Sequence, residues 1–313
     1  MSGLLIASQL DEATNRFLQS QLPQDEVIGI TLGLLPKLPE QTAALLVRPI
    51  EIRGLSQPQP PAGWPFQVQW TQLSSAGIDA YPKWLFQRPV ASAQGTATEA
   101  IVEYVLAAIF SATKRIPELW VKDSRWSFIP QTPVRGSTLG ILGFGSIGQH
   151  LAEQAQHLGM QVIASRRSKQ LIELAGVETA ASLEELFARA DHLVIAAPLT
   201  EETRGLVGRA LLAHAKPGQH LINIARGPLL DHSALLEALD SERLGLATLD
   251  VTDPEPLPDG HPLYLHPRVR ISPHTSGIST LGQRRIAERF LDNLQRFKTG
   301  QPLLYPVDRQ RGY

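Results

Sequence analysis

An arginine, a glutamate and a histidine, each just beyond an apolar run of strand character, are the residues of this chain whose types could do chemistry together. They lie in Asn223-Ile224-Ala225-Arg226-Gly227, Asp250-Val251-Thr252-Asp253-Pro254-Glu255-Pro256 and Ser272-Pro273-His274-Thr275-Ser276-Gly277. At one sheet edge they would supply what reduction of a ketone requires. Arg226 offers a fixed cation for carbonyl and carboxylate oxygens, and His274 is an acid whose protonated form a neighbouring carboxylate such as Glu255 favours. Singly, each has an ordinary reading: a surface charge, a turn residue, a satisfied structural histidine. Their combination with a glycine loop upstream carries the argument.

That loop is Gly143-Phe144-Gly145-Ser146-Ile147-Gly148. It follows the run Leu139–Leu142 and opens the helical pattern Ile147, Leu151, Ala155, Leu158. Gly143 permits a tight turn, Gly145 lets backbone N–H groups approach a pyrophosphate, and Gly148 lets the helix pack closely on the strand. Gln149-His150 stands where a Walker loop needs Lys-Ser/Thr, which excludes that alternative. At the end of the next strand, where a carboxylate would bind the ribose of NAD, the chain has Ser165-Arg166-Arg167-Ser168. Two guanidinium groups and two hydroxyls can hold a 2′-phosphate, so NADPH is expected over NADH. The plain alternative is a solvated basic turn.

The elements that must position these residues begin at Ser137. From there strand and helix patterns alternate to Val269–Ile271, which argues a parallel sheet with helices on both faces. Upstream, short apolar runs (Leu4–Ala7, Val27–Ile30, Ala43–Val47, Phe66–Leu73) are separated by Pro-rich breaks and read as strands with helices between them. Thr96 and Glu99 form a capping-box pattern before an apolar helix, Ala97 to Phe110, that must be buried on several sides. Its neighbours would come from the central packing of the fold, from both domains or from a second subunit. A last long helix, about Ser279 to Lys298, is expected to run back to the first domain.

A length of 313 residues allows about two domains. With 43% apolar and 19% charged residues the chain should fold, and a formal charge of −1 leaves no field for nucleic acid. There is no Cys, hence no disulfide or thiolate metal site, and no His-Glu-x-x-His. Without an export signal or an apolar stretch of about 18 residues, a cytoplasmic location is expected.

With these motifs in place, the chain resembles the D-isomer-specific 2-hydroxyacid dehydrogenases, and within them the glyoxylate/hydroxypyruvate reductase A group. The shared marks are the glycine loop, Asn223–Gly227, Asp250–Pro256, Ser272–His274 and the tail Pro306–Tyr313. The resemblance implies an α/β fold of two Rossmann-like domains. One is a doubly wound cofactor domain (99–279), the other a flavodoxin-like substrate domain built from both chain ends (1–98 and 280–313). It implies NADPH-dependent reduction of a short 2-oxo acid, in which Arg226 binds substrate, His274 donates the proton and Glu255 bonds to His274. It places the substrate carboxylate on Ser75, Ala76 and Gly77, with Arg48 near the pocket entrance where an aromatic is usual in that group. Further cofactor contacts are expected at Pro198, Thr203, Ala225 and Asp250, and a homodimer is implied. The alternative on the same fold is a dinucleotide-sensing regulatory protein. Formate oxidation fits less well, because such enzymes lack the glutamate partner of the histidine.

Overall fold

The computed structural model describes residues 3–49, 55–116, 118–126, 128–167 and 172–308. Ser168 and the tail residues 309–313 of the sequence reading lie outside them. In chain order the elements are β1 (Leu5–Ser8), α1 (Glu12–Gln21), β2 (Glu26–Gly29), β3 (Thr42–Val47), β4 (Trp70–Leu73), β5 (Val90–Ala91) and α2 (Thr98–Thr113). Then come β6 (Thr138–Leu142), α3 (Ser146–His157), β7 (Gln161–Ser165), β8 (Val177–Thr179), α4 (Leu183–Arg189), β9 (His192–Ile195), α5 (Arg209–Leu212) and β10 (Gln219–Asn223). The chain continues through α6 (His232–Asp240), β11 (Leu244–Leu249), α7 (Pro262–Leu265), β12 (Val269–Ile271) and α8 (Gly282–Lys298). Contacts divide it into two compact units, Met1–Ala97 with Ser279–Tyr313, and Thr98–Ile278.

The first unit holds a parallel five-stranded sheet in the order β2-β1-β3-β4-β5, the flavodoxin-like order. All six residues of β3 are buried, as a parallel strand covered on both faces requires. One face packs Leu45, Val47 and Leu73 against Trp84 and Leu85. The other packs Ala44, Leu46 and Trp70 against Phe290 and Leu294 of α8, with Trp70 and Phe290 stacked at 5.1 Å. Among the described residues, an α-helix joins the strands only between β1 and β2, and a short 3-10 helix, Lys83–Gln87, lies between β4 and β5. Pro36, Pro39, Pro58, Pro60, Pro61 and Pro65 lack the N–H that a helix interior needs, so the other connections are irregular. The expected strand from Phe66 starts at Trp70 instead. Phe66 sits at φ +53°, in a turn closed by its N–H on the Gly63 carbonyl at 2.8 Å, which no strand residue can adopt.

The second unit is a parallel seven-stranded sheet in the order β8-β7-β6-β9-β10-β11-β12. Connections run one way from β6 and the other way from β9, so β6 and β9 flank the topological switch point. Alternate residues serve opposite cores. Ile141, Val194 and Ile222 meet α2 and α3, while Leu193, Leu221 and Ala247 meet α4 and α6. Helix α2 is fully buried along the stripe Val102, Val105, Ile109 and Thr113, packs Ile101, Tyr104, Leu106 and Ala108 partly against the same core, and exposes Glu103, Ala107 and Phe110. Before the helix, the Thr96 hydroxyl donates to the Ala93 carbonyl at 2.8 Å. Among the described residues no helix is long and apolar enough to cross a membrane.

Candidate active site

The candidate residues of the second unit all stand at the carboxyl ends of its strands, where open parallel sheets bind ligands. Gly143, after β6, has φ +103°, and a Cβ there would lie 2.5 Å from the Ala197 nitrogen. Only glycine meets both demands. A Cβ on Gly148 would lie 2.7 Å from the Gly143 carbonyl oxygen, so the packing of α3 on β6 also excludes a side chain. At Gly145, by contrast, no heavy atom lies within 4 Å of the Cβ position. Phe144 is buried beneath the loop, and Ser146 and Ile147 begin α3, whose first-turn N–H groups lack intrahelical partners.

Beside this cradle, Ser165 ends β7 and accepts the Gly143 N–H on its carbonyl at 3.0 Å. Arg166 and Arg167 follow, both exposed, with Arg167 Nη1 3.7 Å from Glu202 Oε2. Pro198 and Thr203 form a turn after β9. The Thr203 hydroxyl donates to the Pro198 carbonyl and accepts the Thr200 N–H, both at 2.7 Å. A loop open at Gly145 beside a helix N-terminus fits the pyrophosphate of a dinucleotide, and two exposed guanidinium groups stand near it.

Around His274 the backbone is unusual. Its φ is +51°, a left-handed conformation that costs a non-glycine residue roughly 1–2 kcal/mol. The His274 N–H donates to the carbonyls of Asp250 (2.9 Å) and Ser272 (3.0 Å). Asp250, expected at the cofactor, is 1% exposed and turns its carboxylate to the protein. Oδ1 accepts from Ser272 Oγ at 2.6 Å and from the Thr275 N–H at 2.8 Å, and Oδ2 accepts the Ser276 N–H at 3.0 Å. The turn thus clamped puts His274 Nδ1 2.7 Å from Glu255 Oε1. With Nδ1 facing a carboxylate, Nδ1 carries a proton and Nε2 is the nitrogen left to exchange one. Both side chains are partly open to solvent. The Glu255 loop is tied by the Thr252 N–H to Glu255 Oε2 (3.4 Å) and by the Thr252 hydroxyl to the Pro254 carbonyl (2.9 Å).

Arg226 is set by Asn223, which is fully buried. Asn223 Oδ1 accepts the Ala225 N–H at 3.1 Å, and its Nδ2 donates to the Arg226 carbonyl at 3.0 Å. Arg226 Nη1 donates to the Ala225 carbonyl at 2.7 Å. The next residue locks this loop onto that of Glu255. A Cβ on Gly227 would lie 2.0 Å from the carbonyl carbon and oxygen of Thr252. Arg226 and the Glu255–His274 pair are therefore held by interlocking loops.

In the first unit, Arg48 follows β3 and Ser75, Ala76 and Gly77 follow β4. The Arg48 N–H donates to Oε1 of the buried Gln9 at 2.9 Å. Ser75 Oγ donates to the Gly77 carbonyl at 2.8 Å and lies 2.9 Å from the Tyr81 hydroxyl. Burial pushes the Tyr81 phenol up to about 12, so it stays a donor. Sequence reasoning missed Tyr81 and Tyr104. Tyr81 meets Ser75 only six residues away, but no periodicity marks that contact, and the partner of Tyr104, Ser272, lies 168 residues along the chain.

Comparison with known proteins bears on the family and the fold. A profile of the D-isomer specific 2-hydroxyacid dehydrogenase, NAD binding domain, matches residues 106–276. Glyoxylate/hydroxypyruvate reductase A of Serratia proteamaculans is 36% identical over 67% of this chain and 68% of its own length. A D-isomer specific 2-hydroxyacid dehydrogenase from Xanthobacter autotrophicus Py2, solved with NADPH and MES, superposes with a TM-score of 0.84 at 30% identity, covering 100% of both chains. The NADPH-dependent glyoxylate/hydroxypyruvate reductase of Sinorhizobium meliloti, solved with NADP and sulfate, superposes at 0.81 with 27% identity, again over 100% of both. The chain belongs to the D-isomer-specific 2-hydroxyacid dehydrogenase family.

Proposed function

We propose that the protein uses NADPH to reduce a short 2-oxo acid of the glyoxylate or hydroxypyruvate type to the 2-hydroxy acid. The observation that carries this reading is the 2.7 Å contact of His274 with Glu255, at the carboxyl edge of the sheet that also bears the glycine loop. When bound, NADPH supplies the hydride that adds to C2 of the oxo acid. His274 gives its Nε2 proton to the oxygen that becomes the hydroxyl, and Glu255 holds the ring through Nδ1. Arg226 polarises the ketone and grips the carboxylate with a planar fork that Lys cannot reproduce. Ser75, Ala76 and Gly77 offer the carboxylate a loop of small residues, and Arg48 adds a cation that favours polar substrates. Arg166 and Arg167, with Ser165 and Ser168, hold the 2′-phosphate. Pro198, Thr203 and Ala225 border the rest of the cofactor.

The test is a panel of glyoxylate, hydroxypyruvate, pyruvate and phenylpyruvate run with each cofactor. The two smallest polar acids should turn over best, with kcat/KM higher for NADPH than for NADH. Equal or better kcat/KM with NADH removes the cofactor preference. NADPH binding without turnover of any acid favours the regulatory alternative. The same reading includes a cytoplasmic homodimer. Its support, besides the resemblance, is the exposed apolar set Trp120, Val121, Trp126 and Phe128 beyond α2, which a second copy would cover.

A further inference from the structure

The Tyr104 hydroxyl of α2 lies 2.6 Å from Ser272 Oγ, and Ser272 Oγ lies 2.6 Å from Asp250 Oδ1. The direction of this chain is forced. A serine hydroxyl has one proton, the carboxylate can only accept it, and so the Tyr104 hydroxyl must donate to Ser272. The same carboxylate accepts the N–H groups of Thr275 and Ser276, the two residues that follow His274. It therefore anchors the turn that holds His274 in its left-handed conformation. A carboxylate held by two amides alone could still tilt about its Cβ–Cγ bond. The Ser272 hydroxyl, itself oriented by Tyr104, limits that motion.

We propose that Tyr104, acting through Ser272 and Asp250, is a positioning residue that sets the orientation of the His274 imidazole. The inference rests on the reading of His274 as proton donor, and it assigns to Asp250 a role in shaping the protein. Burial raises the Tyr104 phenol above its ordinary value, so it remains a donor at neutral pH. The network lies within one unit, and Asp250 and Ser276 in it are buried. Removing a single hydroxyl thus leaves the packing in place.

The experiment uses full-length protein labelled with ¹⁵N-histidine, in which the His274 resonances are identified by their loss in His274→Gln. Tyr104→Phe should shift those resonances and speed exchange of the Thr275 and Ser276 amides about fivefold, as expected for loss of one neutral hydrogen bond. In NADPH-dependent turnover, kcat should fall about fivefold while KM for both substrates stays within about twofold. Ser272→Ala should act in the same direction, and the double variant should lose little more than the worse single one, because the two hydroxyls act in series. Wild-type imidazole resonances and amide exchange in both variants overturn the proposal, as does strict additivity of the two losses. A protein that reduces none of the oxo acids, yet shows the shifted resonances, sinks the enzymatic reading and leaves the positioning intact.

Discussion

His274 combines a strained backbone, a carboxylate partner and partial exposure, the combination a side chain needs to take up and release a proton in a fixed direction. His274→Ala should lower kcat by about 10²- to 10⁴-fold and leave NADPH affinity, measured by fluorescence titration, within about twofold. Near-normal turnover would remove the assignment. For Arg226→Ala the expected loss is roughly 100- to 1,000-fold in kcat, because a donor aimed at developing charge is gone. Gly227 admits no side chain against Thr252. Gly227→Ala should therefore cost about 1–3 kcal/mol, read from the urea midpoint, and reduce activity as the Arg226 and Glu255 loops are pushed apart. In the first unit, Tyr81→Phe removes the donor to Ser75 and should raise KM for the oxo acid more than it lowers kcat.

The strands carry binding groups at one end and buried titratable groups at the other. His192 opens β9 and His220 stands near the start of β10, with their Nδ1 atoms 3.3 Å apart and His220 Nε2 2.9 Å from Thr248 Oγ1 on β11. Burial pushes His192 down to about 4 and His220 well below its ordinary value, while Asp191 and Arg270 are the charges that face them. Unfolded imidazoles take up protons near pH 6.5, before these folded ones do. Stability is thus intact above about pH 6.5 and falls as pH drops toward 4, by up to about 3 kcal/mol from His192. Urea midpoints followed across this window should fall less steeply in His192→Gln than in wild type. A parallel pair of curves would show that carboxylates elsewhere cause the acid loss.

Each unit has its own two-faced core, yet one core face of the N-terminal sheet comes from the other end of the chain. Phe290 of α8 stacks on Trp70, and both are buried. Phe290→Ala should cost about 3–5 kcal/mol and lower the denaturation transition of the first unit while NADPH affinity in the second is preserved. Loss of NADPH affinity would refute that independence. For the proposed homodimer, Phe128 is 91% exposed in the single chain, so Phe128→Glu should leave the fold intact. Sedimentation should then give twice the chain mass for wild type and the single-chain mass for the variant.

The sequence by itself determined what depends on neighbours along the chain. The Gly143, Gly145 and Gly148 spacing marks a tight turn into a closely packed helix, and alternating runs from Ser137 onward mark a parallel sheet whose strand ends carry Arg226, Glu255 and His274. It did not show β8, a short half-exposed edge strand with no apolar run, nor the turn at Phe66, where an aromatic adopts a conformation that its residue type disfavours. Tertiary structure alone decided that Asp250 faces the His274 turn and that a phenol reaches Ser272 across 168 residues of chain. A hydrogen bond between residues so far apart leaves no periodicity to read, because which donor meets which acceptor is set only when the strand order and helix packing bring them within about 3 Å.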